Sequence, residues 1–132
     1  MVGYGKRVLV VDDEADMRAL VGLVLDKIGY VVVEACDGLE ATQEVRRRHF
    51  DVIVTDLNMP NLDGVQLMMH VHERFPDMPG ILLTGEPIEC LDHRTRAQFI
   101  ECLQKPFDIG HLLDVVHLAS HVRPYVMSGN DL

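Results

Sequence analysis

The chain contains little cysteine and little positive charge. Its three cysteines, Cys36, Cys90 and Cys102, form no CxxC pair, and their odd number argues against a disulfide framework. We therefore expect a reducing, cytoplasmic compartment. Lysine and arginine together number 12 against 21 aspartates and glutamates, which gives a net charge of −9. This excess of acid argues against direct binding to nucleic acid, which requires a basic surface.

Long hydrophobic runs and targeting segments are also missing. No apolar stretch approaches the length of a membrane span, and residues 1–7 lead into the first apolar run without a signal-peptide pattern. No repeat or low-complexity segment is present, and 48% of the 132 residues are hydrophobic. Length and composition therefore predict one globular domain with a sizeable core and no membrane association.

Short apolar runs and helical patterns alternate five times along the chain. We expect strands at 8–11, 31–35, 52–55, 81–83 and 99–103. We expect helices at 15–28, 39–48, 65–75, 86–98 and 108–121. The helix at 86–98 is the weakest candidate, because Pro87 is tolerable only at its start. Alternating strands and helices predict an α/β fold with a parallel sheet and helices on both faces.

Polar side chains stand where the expected strands end. Asp12 and Asp13 end the first strand, Asp56 the third and Thr84 the fourth, and Lys105 follows the fifth. In open α/β sheets, ligands bind at this carboxyl edge. Carboxylates pressed together repel one another and favour a cation, and their oxygens suit Mg²⁺. The pattern therefore predicts a metal-assisted phosphoryl acceptor, in which the lysine neutralises the added anion.

Each of these residues also has an ordinary explanation when it is taken alone. Asp12 or Asp13 could simply cap the following helix, which is the usual role of an isolated aspartate pair. Thr84 could be a common strand-end threonine, and Lys105 a solvated lysine. The joint occurrence of all of them, with Asp56 on the strand expected beside the first, favours the phosphoryl acceptor.

Together these stretches resemble the receiver domain of two-component response regulators. The matching stretches are VLVVDDE (8–14), VIVTDLNMP (52–60) with NLDG (61–64), ILLTGE (81–86) and KPF (105–107). With the helix that follows, they cover nearly the whole chain. The resemblance implies a flavodoxin-like, doubly wound, five-stranded parallel sheet with strand order 2-1-3-4-5. The expected receiver domain covers 1–122. Residues 123–132 contain Pro, Ser, Gly and Asn, so we expect them to form a short, flexible tail.

The resemblance gives each site residue a role. Asp56 would be the phosphoacceptor, Thr84 would hydrogen-bond the phosphoryl group and move toward it, and Lys105 would pair with the phosphoryl oxygens. Mg²⁺ would be held by Asp12, Asp13, Asp56 and the backbone carbonyl of Asn58. The Lys105–Pro106 peptide would be cis, so that the lysine points into the pocket.

Residues near the site are expected to affect the lifetime of the phosphorylated state and the output surface. Asn58 and Glu86 flank the route of a hydrolytic water and are polar, so we expect a short-lived phosphorylated state. Receivers usually carry an aromatic residue at the position of Cys102 and a Gly-Ala pair where this chain has Gln98 and Phe99. We therefore expect the surface around the fourth helix and fifth strand to signal differently from other receivers or to bind an unusual partner.

The resemblance implies a phosphorylation-dependent signalling switch and not an enzyme that acts on external substrates. The phosphoryl group would come from a histidine kinase or a histidine phosphotransfer protein, and an unknown protein target would read the output surface. Two alternatives remain open: a receiver module taken from a larger hybrid kinase or multidomain regulator, and a docking module that never takes phosphate. The complete acceptor set argues against the docking module. A small aspartyl-phosphate phosphohydrolase would need a second aspartate where the chain has Asn58.

Overall fold

Five strands form one parallel sheet. In the computed structural model, which describes residues 3–121, the strands are β1 (Arg7–Val11), β2 (Val31–Ala35), β3 (Val52–Asp56), β4 (Gly80–Thr84) and β5 (Glu101–Gln104). Neighbouring strands pair in parallel in the order β2-β1-β3-β4-β5. The predicted strand order and doubly wound topology are confirmed. The tail predicted over 123–132 lies outside the described residues.

Helices connect successive strands across the faces of the sheet. They are α1 (Ala15–Lys27), α2 (Gly38–Arg47), α3 (Gly64–Arg74), α4 (His93–Ala97) and α5 (Ile109–His121). Gly29 ends α1 with a φ of 102°, a left-handed conformation that favours glycine, as predicted. Within residues 3–121, every helix is too short or too polar to cross a bilayer.

The three central strands, β1, β3 and β4, are buried on both faces, and their alternate residues pack into the two cores. Val8 and Val10 of β1 pack on one face against α1 and α5, where Leu25 and Val116 lie. The second core, which contains Leu9 and Val11, is completed by residues of α2 and α3: Ala41, Val45, Leu67, Met68 and Val71. This double burial explains why these three strands are continuous apolar runs and not alternating patterns.

The fourth helix is much shorter than predicted. The expected helix over 86–98 is a 3₁₀ turn at Ile88–Cys90 and the separate helix α4. Between them Leu91 is extended, with φ −77° and ψ 133°, and its side chain packs into the second core. The Asp92 carboxylate then accepts a hydrogen bond from the Thr95 N–H and begins a new helix. The prediction of one continuous helix is wrong, because a buried leucine and a new N-cap divide the segment.

The fifth strand begins later than predicted. The expected strand over 99–103 lies at Glu101–Gln104 instead. Phe99 precedes it in a loop, where its N–H donates to the Arg96 carbonyl, and its ring packs into the second core. The expected strand was too long at its start because Phe99 and Ile100 are apolar. Phe99 is buried by tertiary packing and not by membership of the sheet.

Candidate functional site

Three carboxylates meet at the carboxyl edge of the sheet. Asp12 directly follows β1 and Asp56 ends β3, and the register pairs Val11 with Thr55, so the two strands end side by side. One carboxylate oxygen from each of Asp12, Asp13 and Asp56 lies within 4.8 Å of the others. Asp12 is only 2% exposed, whereas Asp13 is exposed to solvent. The geometry brings together the acidic residues that the sequence singled out.

Lys105 lies against two of these carboxylates. Its Nζ is 3.4 Å from Asp12 Oδ2 and 3.4 Å from Asp56 Oδ1. The Lys105 N–H donates to the Thr84 carbonyl at 2.7 Å, which attaches the residue to the end of β4. The Lys105–Pro106 peptide bond is cis, as predicted. The ammonium group therefore lies between the ends of β1 and β3, as the sequence suggested.

Burial and charge oppose each other at this site. Burial raises the pKa of Asp56, while Lys105 lowers it and Asp12 raises it further, and the net effect is upward. For Lys105, burial alone would lower the pKa, but the carboxylates of Asp56 and Asp12 outweigh it and raise the pKa of the ammonium group. One lysine therefore leaves the partly buried Asp56 carboxylate short of positive charge.

Asp12 does not cap α1, contrary to one alternative reading of the sequence. The N-cap of α1 is Glu14, and it makes no side-chain capping hydrogen bond. Asp12 Oδ1 instead accepts the Glu14 N–H at 2.9 Å, and its Oδ2 faces Lys105. The backbone N–H of Asp12 donates to the Ala35 carbonyl at 3.2 Å. Internal contacts thus hold Asp12 in place, and the exposed Asp13 is left open to solvent.

The end of β3 is held by its own backbone. The Leu57 N–H donates to Asp56 Oδ1 at 2.9 Å, and the Gly64 N–H donates to the Leu57 carbonyl at 2.8 Å. A Cβ at Gly64 would clash with the Asp56 carbonyl oxygen, so only glycine lets α3 begin this close to β3. The start of α3 therefore fixes the Asp56 main chain.

Two hydrogen bonds connect Thr84, Glu86 and Asn58 at the carboxyl edge of the sheet. Thr84 is fully buried at the end of β4, and its Oγ1 accepts the Glu86 N–H at 3.0 Å. The side-chain amide of Asn58 donates to Glu86 Oε2 at 3.1 Å. The loop that follows the third strand and the loop that follows the fourth are therefore joined by a polar contact.

Comparison with known proteins identifies the family. The family model of the response regulator receiver domain matches residues 8–117. This chain belongs to that family. It is 33% identical over 113 residues to the response regulator receiver protein CpdR of Brucella abortus, covering 85% of this chain and 92% of CpdR. It is 32% identical over 122 residues to the sensor protein EvgS of Escherichia coli K12, covering 89% of this chain. The chain spans only 10% of the length of EvgS.

Solved structures agree with this assignment. The fold is similar to that of the response regulator TrrA of Thermotoga maritima in complex with Mg²⁺-BeF, with a TM-score of 0.80 and 29% identity. That match covers 86% of this chain and 98% of TrrA. TrrA in complex with the histidine kinase ThkA also matches, with a TM-score of 0.78 and coverage of 86% and 97%.

Cys102, on β5, occupies the position at which the resemblance to receivers implied an aromatic residue. It pairs with Leu82 in the sheet register and packs, half-buried, against the second core. Burial raises the pKa of its thiol. The ring of Phe99 belongs to that same core from a position three residues earlier. A small side chain, Cys102, thus occupies this position on β5, and the aromatic ring in the same core comes from Phe99 in the loop before β5.

The sequence analysis missed one polar side chain beside the site of this receiver. Arg18, on α1, donates from Nη1 to the Asp12 carbonyl at 2.7 Å and from Nε to Glu34 Oε1 at 3.2 Å. A signal was present, since Arg18 follows the helix N-cap Glu14 by one helical turn. Pattern alone gives no partner for such a residue, because arginines at that spacing commonly face solvent.

Proposed function

We propose that this receiver accepts a phosphoryl group on Asp56 from the phosphohistidine of a histidine kinase or a histidine phosphotransfer protein. The observation that carries the proposal is the position of the Asp56 carboxylate, between two further carboxylates and the Lys105 ammonium group. The crystal structure of TrrA with the kinase ThkA supports a kinase as the partner.

The chemistry follows from the two oxygens of Asp56. Oδ1 is held by the Leu57 N–H and lies near Lys105. Since the Leu57 N–H and the Lys105 ammonium group both contact Oδ1, we assign Oδ2 as the attacking atom. A phosphorus–oxygen bond forms to Oδ2 as the phosphorus–nitrogen bond of phosphohistidine breaks. The electron pair stays on the imidazole nitrogen, which takes a proton from solvent.

A divalent cation fits the residues present. The carboxylates of Asp12, Asp13 and Asp56 outnumber the single ammonium of Lys105, and burial has raised the pKa of Asp56. Asp13 and Asp56 would hold Mg²⁺ together with Asp12 and the backbone carbonyl of Asn58, as oxygen ligands suited to this ion. Bound there, Mg²⁺ would neutralise charge on the transferring group. The Mg²⁺-BeF complex of TrrA supports this assignment.

Lys105 and Thr84 would then hold the added group. The Lys105 ammonium already lies 3.4 Å from Asp56 Oδ1, within reach of phosphoryl oxygens on the same carboxylate. Thr84 would move its buried hydroxyl toward the phosphoryl group and so give up its hydrogen bond to the Glu86 N–H. This exchange of partners at the end of β4 would shift an existing equilibrium between two output surfaces.

The wider role of the protein rests on its relatives. CpdR is matched over nearly its full length, whereas EvgS is a sensor protein of which this chain matches a small part. We propose a cytoplasmic signalling switch, either stand-alone or part of a larger regulator, that turns over no external substrate. The free thiols of Cys36, Cys90 and Cys102 support a reducing compartment.

Phosphorylation by a small phosphodonor tests the proposal. The protein is incubated with acetyl phosphate and Mg²⁺ and then weighed by intact mass spectrometry. We expect the added mass of one phosphoryl group, absent in Asp56→Asn and absent when Mg²⁺ is chelated. Asp51→Asn is the matched control, because Asp51 precedes β3 at the opposite edge of the sheet. Full labelling of Asp56→Asn would overturn the acceptor assignment, and no labelling of the wild type would favour a docking module.

A further inference from the structure

We propose that Arg18 is a positioning residue for the metal site, acting through the peptide group that joins Asp12 to Asp13. This inference rests on the proposed function, because it concerns how the two carboxylates are presented to Mg²⁺. Arg18 lies on α1 and belongs to no part of the acceptor set. Its Nη1 donates to the Asp12 carbonyl oxygen at 2.7 Å, which is short for a hydrogen bond between nitrogen and oxygen.

The Asp12 carbonyl belongs to the peptide plane that leads directly into Asp13. The other polar groups of Asp12 are held as well: its N–H by the Ala35 carbonyl and its carboxylate by the Glu14 N–H and Lys105. Asp13 has no comparable support from its own side chain, which is exposed. The direction in which Asp13 leaves the strand end is therefore set by the peptide that Arg18 holds.

Arg18 is itself held in one orientation. Its Nε lies 3.2 Å from Glu34 Oε1, and its side chain is only 19% exposed. The space for Glu34 is left by Gly22 of α1, since a Cβ there would lie 3.0 Å from Glu34 Oε2. A planar guanidinium can bind Glu34 with one nitrogen and the Asp12 carbonyl with another, which the single ammonium of lysine cannot reproduce. Glu34, Arg18 and the Asp12 carbonyl thus form one chain of contacts from β2 to the acidic pair.

The two possible roles of Arg18, repelling the metal by its charge or orienting the ligand peptide, predict opposite changes in Mg²⁺ affinity when Arg18 is removed. A cation near a Mg²⁺ site repels the metal, so removal of Arg18 would tighten Mg²⁺ binding if its charge were all that mattered. If Arg18 orients the ligand peptide, its removal weakens binding, as loss of a partner that holds a metal ligand commonly does, by about 10-fold to 100-fold. The sign of the change therefore separates the two roles.

The test is the Mg²⁺ dissociation constant of the full chain, measured by isothermal titration calorimetry. We expect Arg18→Met and Arg18→Lys both to raise it about 10-fold, and Glu34→Gln to raise it by a smaller factor because the amide still accepts the Nε–H. The matched control is Arg48→Met, which breaks a contact of the same atoms with Glu44, also at 3.2 Å, on α2. Its dissociation constant should equal that of the wild type.

A second measurement excludes a merely structural role. Thermal melting in EDTA measures the stability of each variant without metal. At saturating Mg²⁺, the rate of labelling of Arg18→Lys by acetyl phosphate should be within about twofold of the wild-type rate. Tighter binding in Arg18→Met, or unchanged binding in Arg18→Lys and Glu34→Gln with lower melting temperatures, would overturn the proposal. If Arg18→Met fails to fold, the other two variants decide. A wild type that binds no Mg²⁺ would instead overturn the proposed metal site, and the inference with it.

Discussion

Two adjacent aspartates differ in what holds them, although the sequence presents them as a pair. Asp12 is buried and makes contacts with the Glu14 N–H and Lys105, whereas Asp13 is exposed. Asp12 is therefore held by contacts within the protein, and Asp13 is the exposed carboxylate that we expect to bind a cation directly. The difference arises because the chain leaves the sheet between them, after Asp12 has still donated its N–H to the neighbouring strand.

Mg²⁺ is expected to stabilise the wild type and to lose that effect in Asp13→Ala. A ligand that binds only the folded state stabilises it by about 2.7 kcal/mol at about 100 times its dissociation constant, which corresponds to several degrees in melting temperature. Asp13→Ala should show a much smaller shift with Mg²⁺, and Asp77→Ala, an exposed residue at the opposite edge of the sheet, should match the wild type. Equal shifts in all three proteins would contradict the assignment of Asp13.

The phosphorylated state is expected to last longer when Glu86 is replaced by leucine. Asn58 and Glu86 are joined by a hydrogen bond of 3.1 Å near Asp56, and polar groups there can admit or orient a hydrolytic water. Decay of the phosphoprotein, followed by loss of label after the donor is removed, should slow severalfold in Glu86→Leu and in Asn58→Leu. Because the two side chains touch, the double variant should be less than additive. Decay rates equal to the wild type, as expected for Glu89→Leu, would show that the lifetime is set elsewhere.

At the scale of elements, the N-terminus of α3 packs directly against the end of β3. Asp63 and Gln66 form a capping box in which each side chain accepts the backbone N–H of the other residue. Gly64, the first residue of α3, lies against the Asp56 carbonyl with no space for a side chain. The helix is therefore stabilised at the same point where it contacts Asp56, the proposed phosphoacceptor.

Gly64→Ala is expected to reduce both stability and phosphorylation. The added Cβ would overlap the Asp56 main chain, and such overpacking typically costs about 1–3 kcal/mol. Chemical denaturation should show that loss, and the rate of labelling by acetyl phosphate should fall because the end of β3 must move. Gly85→Ala is the control, since a Cβ there meets nothing within 4 Å. The proposed contact would be refuted by a Gly64→Ala protein as stable and as rapidly labelled as the control.

At the scale of the whole molecule, one buried contact joins segments far apart in the sequence. The hydroxyl of Tyr30, just before β2, lies 3.1 Å from Ser120 Oγ near the end of α5. Both residues are buried. The contact connects the segment between α1 and β2 to the last helix, so it forms only when parts of the chain 90 residues apart have come together. Burial raises the pKa of Tyr30, and the hydrogen bond to Ser120 only partly offsets that shift.

Stability is expected to fall at high pH partly through Tyr30. An unfolded tyrosine ionises near pH 10, and the folded pKa is higher, so the folded state keeps its proton where the unfolded state loses it. The resulting contribution is fully present below about pH 10 and is lost as the pH rises through the folded pKa. Tyr30→Phe should be less stable by about 1 kcal/mol at pH 7, and its deficit against the wild type should shrink above pH 10.

Urea denaturation at several pH values measures this difference. Tyr4→Phe is the control, because Tyr4 is exposed, and its stability should follow that of the wild type at every pH. A deficit of Tyr30→Phe that stays constant from pH 7 to pH 11 would show that the buried hydroxyl does not contribute to the pH dependence.

The sequence by itself determined which residues meet at the carboxyl edge of the sheet, whereas the strand order came from the resemblance to receivers. Local signals sufficed to place these residues. Asp12, Asp56 and Thr84 each end an apolar run, and Gly29 ends a helix at a position whose left-handed backbone conformation favours glycine. A parallel sheet brings the ends of its strands together whatever the loops do. The sequence therefore predicted which side chains form the acidic site, and the resemblance to receivers gave their proposed roles.

Only the tertiary structure decided the fourth helix, the start of β5 and the contacts of Arg18. Leu91 and Phe99 look like members of a helix and a strand, yet both turn into the core from loops. Arg18 looks like a solvated arginine until Glu34 and the Asp12 carbonyl are brought to it. These features depend on packing between residues distant in the sequence, and burial of a side chain or satisfaction of a carbonyl overrides local preference wherever the two compete.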